Sequence, residues 1–254
     1  IEESSTAAAD TGMASGSYSE TNVRQEGVDE GDTAKTDGTY LYVLKDKSNQ
    51  IAIIDTRDNR MKQTATITVE DVSEIQEMYL DIERNQLIAV CDGYVGGKWN
   101  DDDYGYGQRA NTTAVTYDIS DRENPKEVGR VSQSGYYNSS RIADGYLYLF
   151  SDYYVTLDGI TAKNPKSYIP LVNDNLIEET DICLPSISKA DMYSIITSVS
   201  LENPNETAHS KALLADGGNL YVSNDNIYFY ENVWQYSGKD VTTIRKVSYE
   251  SGKL

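Results

Sequence analysis

The chain has 254 residues, enough for one large all-β domain or two ordinary ones. Its 41 acidic and 22 basic residues leave a formal charge of −19, which excludes non-specific nucleic-acid binding and repels anionic lipid, because both need a basic footprint. A single histidine excludes a His-rich zinc site, and 21 tyrosines against two Phe and two Trp point to a β-rich protein. No apolar run approaches the ~20 residues that span a bilayer, and no signal-peptide h-region is present.

Ile1 to Ser17 are mostly Glu, Ser, Thr, Ala and Gly without apolar periodicity. That composition reads as a flexible acidic linker over 1–17, tethering a displayed domain over 18–254. From Val28 the chain repeats a unit made of a polar turn and a short apolar-aromatic strand. The instances are Thr36-Asp37-Gly38-Thr39-Tyr40-Leu41-Tyr42-Val43, Glu83-Arg84-Asn85-Gln86-Leu87-Ile88-Ala89-Val90, Ala143-Asp144-Gly145-Tyr146-Leu147-Tyr148-Leu149 and Asn224-Asp225-Asn226-Ile227-Tyr228-Phe229-Tyr230. Asp-Gly and Asn-containing turns tolerate positive φ and fit tight hairpins. A second strand follows each: Ile51 to Thr56, Ala114 to Ser120, Tyr193 to Leu201 and Thr242 to Tyr249. A third follows twice, over Met61 to Val69 and Lys126 to Ser132.

Repeated units of four short strands are what β-propeller blades require, so the expected fold is all-β, a propeller with about four blades present. A β-sandwich would not repeat its turn chemistry unit by unit. The fourth unit stops after Lys246-Val247-Ser248-Tyr249 without an outer strand. Either a segment such as Thr21 to Gln25 supplies that strand, or the chain belongs to a larger propeller truncated at the C-terminus.

The stretch Tyr18-Ser19-Glu20-Thr21-Asn22-Val23-Arg24-Gln25-Glu26-Gly27-Val28-Asp29-Glu30-Gly31-Asp32-Thr33-Ala34-Lys35-Thr36-Asp37-Gly38 resembles the opening of a bacterial and archaeal family of secreted proteins. That family carries a β-propeller domain distantly related to WD repeats. Ser194-Ile195-Ile196-Thr197-Ser198-Val199-Ser200-Leu201 and Asn219-Leu220-Tyr221-Val222-Ser223 are similar to a later part of it. The chain departs from the pattern at Gly31 and Thr33, where the family usually has Ala and an apolar residue, which should weaken the first strand slightly. The resemblance implies an extracellular or cell-surface place and a domain longer than this chain. It brings no catalytic residues with it.

Chemistry is then sought residue by residue. A serine hydrolase would have to use His209 as its base, and Asn205-Glu206-Thr207-Ala208-His209-Ser210 reads instead as a turn with a surface histidine. Cys91 closes an apolar strand and reads as a small buried core residue, with a bridge to Cys183 as the alternative. Glu178, Glu179 and Asp181 lie in a long loop near Tyr168 and suit a carbohydrate-active enzyme, the runner-up function. No cofactor is called for, apart from calcium: Asp101 and Asp103 with Gly105 form a crude oxygen-rich loop, whose plainer reading is a solvated acidic turn.

Two inserts carry more information. Gly93 to Asn111 holds Tyr94, Trp99, Tyr104 and Tyr106, and Tyr153 to Asp191 holds Tyr153, Tyr154 and Tyr168. Both fall between the second and third strands of their blades, so alternating strand direction puts them on one rim. Trp99, Tyr104, Tyr106, Tyr154 and Tyr168 are the candidate ligand-binding residues, because aromatic side chains on adaptable loops stack on sugars or protein partners. The expected function is an extracytoplasmic binding or scaffold module for a glycan or protein ligand, without nucleic acid and without direct membrane insertion.

Overall fold

The structure is a computed structural model and describes residues 27–57, 60–94, 110–155, 163–185, 191–215, 219–234 and 240–254. The first sheet holds β1 (Ala34–Thr36), β2 (Tyr40–Leu44), β3 (Gln50–Asp55) and β4 (Lys62–Thr68), hydrogen-bonded in that order. The second holds β5 (Glu74–Asp81), β6 (Gln86–Tyr94), β7 (Ala110–Asp118) and β8 (Lys126–Ser134) in the same order. After β9 (Tyr136–Ala143) and β10 (Tyr146–Tyr154) come three two-residue strands, β11 (Leu171–Val172), β12 (Asn175–Leu176) and β13 (Ile182–Cys183). Then β14 (Met192–Ser200) and β15 (Thr207–Ala215) complete a third sheet with β9 and β10, and β16 (Asn219–Val222), β17 (Asn226–Trp234) and β18 (Asp240–Ser248) form the fourth. Neighbouring strands within each four-strand unit are antiparallel, so each unit is a meander, the blade that the repeat predicts.

Alternation along the second strand of each blade sets how the blades stack. On β6, Leu87, Ala89 and Cys91 face the first sheet and pack with Tyr42, Ile51 and Ile53. Ile88 and Val90 point the other way and meet Leu147, Leu149 and Ile195 of the third sheet. On β10, Tyr148 and Phe150 then face Val222, Ile227 and Phe229 of the fourth. A strand buried on both faces must be apolar throughout, and this is why Leu87-Ile88-Ala89-Val90-Cys91 shows no polar alternation. Each fully buried Leu or Ile contributes roughly 2 kcal/mol to holding two blades together. Among the described residues no such cluster joins the first sheet to the fourth.

Two sequence expectations need correction. The repeating unit begins one strand earlier than the turn: β1, β5, β9 and β16 precede their turns and are the first strands of their own blades. The second insert is not a plain loop. β11 pairs with β8 at Val172–Gln133, and β13 pairs in parallel with β15, so residues 163–185 strap the outer edges of the second and third blades. Val172 and Ile177 bury there, which gives this segment the apolar anchors that a free loop lacks. Gly31 lies against the Glu77 side chain. A Cβ on Gly31 would lie 2.4 Å from Glu77 Cδ, because the segment before β1 crosses the first strands of the neighbouring blades. It bonds there through Asp32 to Met78 and through Asp29 to Ile142. The fourth sheet has three strands among the described residues, and Thr21 to Gln25 and the linker 1–17 lie outside them.

Candidate functional site: the insert-bearing rim

The hairpin turns and the inserts leave the blades on opposite rims. On the turn rim, the blade-to-blade joints are made by the chain itself. Asp37 Oδ1 accepts the Thr39 and Tyr40 amides, at 2.9 and 2.7 Å, and its Oδ2 accepts the Tyr42 hydroxyl at 3.0 Å. Arg122, from the loop after β7, donates to Tyr42 Oη (3.2 Å), Asn85 Oδ1 (2.8 Å) and Asp37 Oδ2 (3.2 Å). Burial alone would raise the Asp37 pKa, but those amides, the Tyr42 hydroxyl and the guanidinium outweigh it and hold the carboxyl below its ordinary value. The third-to-fourth joint uses the same bond with other atoms: the Gly252 N–H donates to Tyr148 Oη at 3.1 Å. At the joint between them, Ile88 replaces the tyrosine, Pro204 packs over Gly129, and the neighbouring Asn205 side chain accepts the Arg130 amide at 3.2 Å and donates to Val128 O at 2.8 Å.

The insert rim is built differently. β6 ends in Asp92-Gly93-Tyr94 at the root of the first insert, and β10 ends in Asp152-Tyr153-Tyr154 at the root of the second. Asp92 Oδ1 accepts the Tyr137 amide of the next blade at 2.8 Å, and Oδ2 accepts Gln76 Nε2 at 3.0 Å. Asp152 Oδ2 accepts Asn138 Nδ2 at 2.6 Å, and Oδ1 accepts Ser194 Oγ at 3.1 Å. Tyr136 stands opposite Asp152 in the ladder, and its ring lies edge-on to Tyr154, centroids 6.4 Å apart. Burial raises the Tyr136 pKa, and Tyr94, Asp92 and Tyr154 raise it further, so one ring is close to the roots of both inserts. That arrangement puts the two roots side by side on one rim.

Burial also raises the pKa of Asp92, with the Tyr137 amide working against it and Glu74 adding repulsion. Asp152 is raised by burial too, partly offset by Asn138 and Ser194. Neither carboxylate has an ion pair among the described residues. The close approach that forms the rim depends on Gly135, at φ +98°. A Cβ there would sit 2.6 Å from the Asp152 carbonyl oxygen.

Of the candidate ligand-binding residues, Tyr154 ends β10 on this rim and is 47% exposed. Tyr168 is half-buried after the short 3-10 turn Pro165–Ser167, and burial raises the pKa of Tyr193, with Tyr168 adding to it by proximity. Tyr193 in turn packs on Tyr153, centroids 6.4 Å apart, on the opposite face of β10 from Tyr154. Trp99, Tyr104, Tyr106 and the calcium candidates Asp101 and Asp103 lie outside the described residues. Glu178 and Glu179 are exposed at the outer edge of the third blade, away from the rim's aromatic arc. Asp181 is tied to Lys211 Nζ at 3.0 Å and to His209 Nε2 at 3.1 Å; chiefly through Lys211, its pKa is lowered. His209 is therefore not a plain surface residue: it pins the second insert to β15, and its Nδ1 accepts the Leu254 amide at 2.9 Å. Cys91 is buried, with its thiol pKa pushed up to about 12, and Cys183 is exposed and unpaired.

Asp92 and Asp152 did not stand out in the sequence as site residues, although a signal for them exists. Counting five residues on from Leu87, Leu147 and Ile227 gives Asp92, Asp152 and Asn232 on the second strands of their blades, while the same count from Leu41 gives Asp46, in the turn after β2.

An uncharacterised protein of Methanocaldococcus jannaschii is 25% identical over 224 residues, which cover 85% of this chain and 29% of that protein. The chain thus spans under a third of that curated relative's length. A solved structure of a functionally unknown protein from Desulfotomaculum acetoxidans aligns over 87% of this chain and 70% of its own, at 10% identity and a TM-score of 0.28. The model of the beta propeller domain family matches residues 18–254, and with four consecutive meander sheets stacked face to face, the chain belongs to that family.

Proposed function

We propose that this domain is a non-enzymatic binding or scaffold module acting outside a bacterial cell, and that it takes a glycan or protein ligand on the insert-bearing rim. Membership of a propeller family supports a binding or scaffold role in general terms, while the site decides what is bound. The observation that carries the reading is the pair of contacts around Tyr136 and Tyr137. Through them Asp92 and Tyr154, at the roots of the two inserts, share one rim. Trp99, Tyr104 and Tyr106 belong to the first insert, Tyr154 and Tyr168 to the second. Rigid aromatic anchors with a polar surround are what binding hot spots are made of. Asp101 and Asp103 are the candidate calcium ligands within the first insert.

A screen of glycans, peptidoglycan fragments and cell-envelope proteins, read by calorimetry, tests this. Trp99→Ala should weaken the best ligand by about 2 kcal/mol while leaving the melting temperature nearly unchanged. Lowered melting with unchanged binding would make Trp99 a packing residue and remove the reading.

A further inference from the structure

The register that joins neighbouring blades also fixes what the two end sheets present. Leu87, Leu147 and Ile227 hold the same position on their second strands, and each packs against the sheet before its own. Tyr42, Ile88 and Tyr148 hold the next position, and each packs against the sheet after its own. Strand alternation then leaves two faces over: that of Leu41, turned away from the second sheet, and that of Tyr228, turned away from the third.

Both faces are apolar. Leu41 and Val43 share theirs with Ile54 and Ala52 across the ladder, and none of the four belongs to a buried cluster. Tyr228 shares its face with Tyr230 and with Ile244 opposite, which are 39% and 66% exposed. A contiguous apolar face at the surface marks an interaction site. The two faces are also nearly free of charge. The cross-strand rows through Leu41 and Val43, and those through Tyr228 and Tyr230, contain Lys246 and no Asp or Glu. Copies of a chain carrying −19 repel one another, so faces without acids are where two of them can meet.

The two faces match as neighbours do within the chain. At the joint between the third and fourth blades, the row of Tyr148 and Phe150 receives Ile227 of the next blade. Tyr228 and Tyr230 repeat the first row, and Leu41 and Val43 repeat the aliphatic position that fits it. We propose that two copies of this chain join head to tail, the fourth sheet of each packing on the first sheet of the other. A pair joined at both ends has no such face left over, and its eight blades fall within the ~4–8 that propellers hold. This pairing uses neither rim and does not depend on what the insert rim binds.

Sedimentation equilibrium of the full chain over a concentration series tests it. The parent should be a dimer that dissociates on dilution. Ile244→Glu places an acid on the fourth sheet's outward face and should weaken dimerisation at least tenfold. Leu184→Glu is the matched control, 67% exposed at the outer edge of the third blade, and should change it less than twofold. Thr66→Glu, beside Ala52 on the first sheet, should also weaken dimerisation by itself. Mixing the Ile244→Glu and Thr66→Glu chains should restore a heterodimer, because one of its two joints has both faces intact. Circular dichroism melts check that each variant is folded. A parent that stays monomeric at every concentration would mean that these faces meet some other blade, and would overturn the proposal. So would equal losses in Ile244→Glu and Leu184→Glu. A dimer untouched by Thr66→Glu, or no heterodimer on mixing, would mean a symmetric contact between two fourth sheets, and head-to-tail joining would fail.

Discussion

On the turn rim, Asp37 sits between the Arg122 guanidinium, the Tyr42 hydroxyl and two amides. On the insert rim, Asp92 and Asp152 are held, among the described residues, by amides and hydroxyls alone. Both rims come from the same four-strand unit, and both place an aspartate near tyrosines. Their titration differs in sign. Asp37 is held below the ordinary carboxyl value and the rim aspartates above it. Asp37 therefore contributes stability that is present above the unfolded carboxyl pKa and is lost as pH falls through its depressed value. The rim aspartates do the reverse. Their contribution is present below the unfolded pKa and is lost as pH rises through their raised values. One rim is arranged to hold blades together, and the other keeps buried carboxylates that no cation among the described residues pairs with.

The largest expected effect breaks the turn-rim clamp. Arg122→Ala removes one partner of a pair whose Asp37 side chain is only 7% exposed, and strips a donor from Tyr42 and from Asn85. It should cost about 3 kcal/mol in urea unfolding. Arg57→Ala, at the exposed pair with Asp55, should cost no more than about 1 kcal/mol. Equal losses would mean that the clamp is not what joins the first two blades.

Next in size is Gly135→Ala, which attacks the insert rim through its backbone. The residue would be strained at φ +98°, and its Cβ would collide with the Asp152 carbonyl. About 2 kcal/mol of destabilisation is expected, read from the melting midpoint. Hydrogen exchange at the Tyr137 amide should rise with it, since that amide is the donor to Asp92. A melt unchanged from the parent would show that the start of β9 can relax without loss.

The blades were legible in the sequence because their cause is local. A strand buried on both faces is apolar at every position, as in Leu87 to Cys91, and its turn needs residues that tolerate positive φ, as Asn85, Asp144 and Gly145 do. The shared rim was legible as well, since it follows from antiparallel alternation. The aspartates were not. In a chain with 41 acids, burial is what separates Asp92 and Asp152 from solvated neighbours, and burial is a property of packing between blades. The folding-back of residues 163–185 was hidden for a similar reason: Val172 and Ile177 end short apolar runs, 168–172 and 176–177, too brief to read as strands, and only the edges of β8 and β15 give them a place.

A smaller effect of opposite sign sharpens the comparison. Asp152→Asn keeps an acceptor for one of its two donors while removing a buried charge that has no cation among the described residues. At neutral pH the variant should be as stable as the parent or more so, by an amount on the order of 1 kcal/mol. The sign follows from the raised pKa: the parent loses stability as pH climbs through that value, and the variant has no such group to ionise. The difference should therefore shrink as pH falls toward the ordinary carboxyl range. A variant clearly less stable at neutral pH would place Asp152 with Asp37, as a structural carboxylate.

The smallest expected change concerns Tyr154. Its ring is 47% exposed and meets Tyr136 edge-on, outside the three buried clusters. Truncation to Ala removes an edge contact at a strand end, while the Tyr154–Met192 pairing is made by backbone and survives. Stability should move by no more than about 0.5 kcal/mol. Tyr148→Phe is the matched control on the other rim. Its hydroxyl accepts the Gly252 amide at the joint between the third and fourth blades, and losing it leaves a buried donor unpaired, at about 1–3 kcal/mol. If Tyr154→Ala costs as much as Tyr148→Phe, then Tyr154 serves packing as Tyr148 does, and the distinction between a joining rim and a receiving rim fails at the residue where it is easiest to measure.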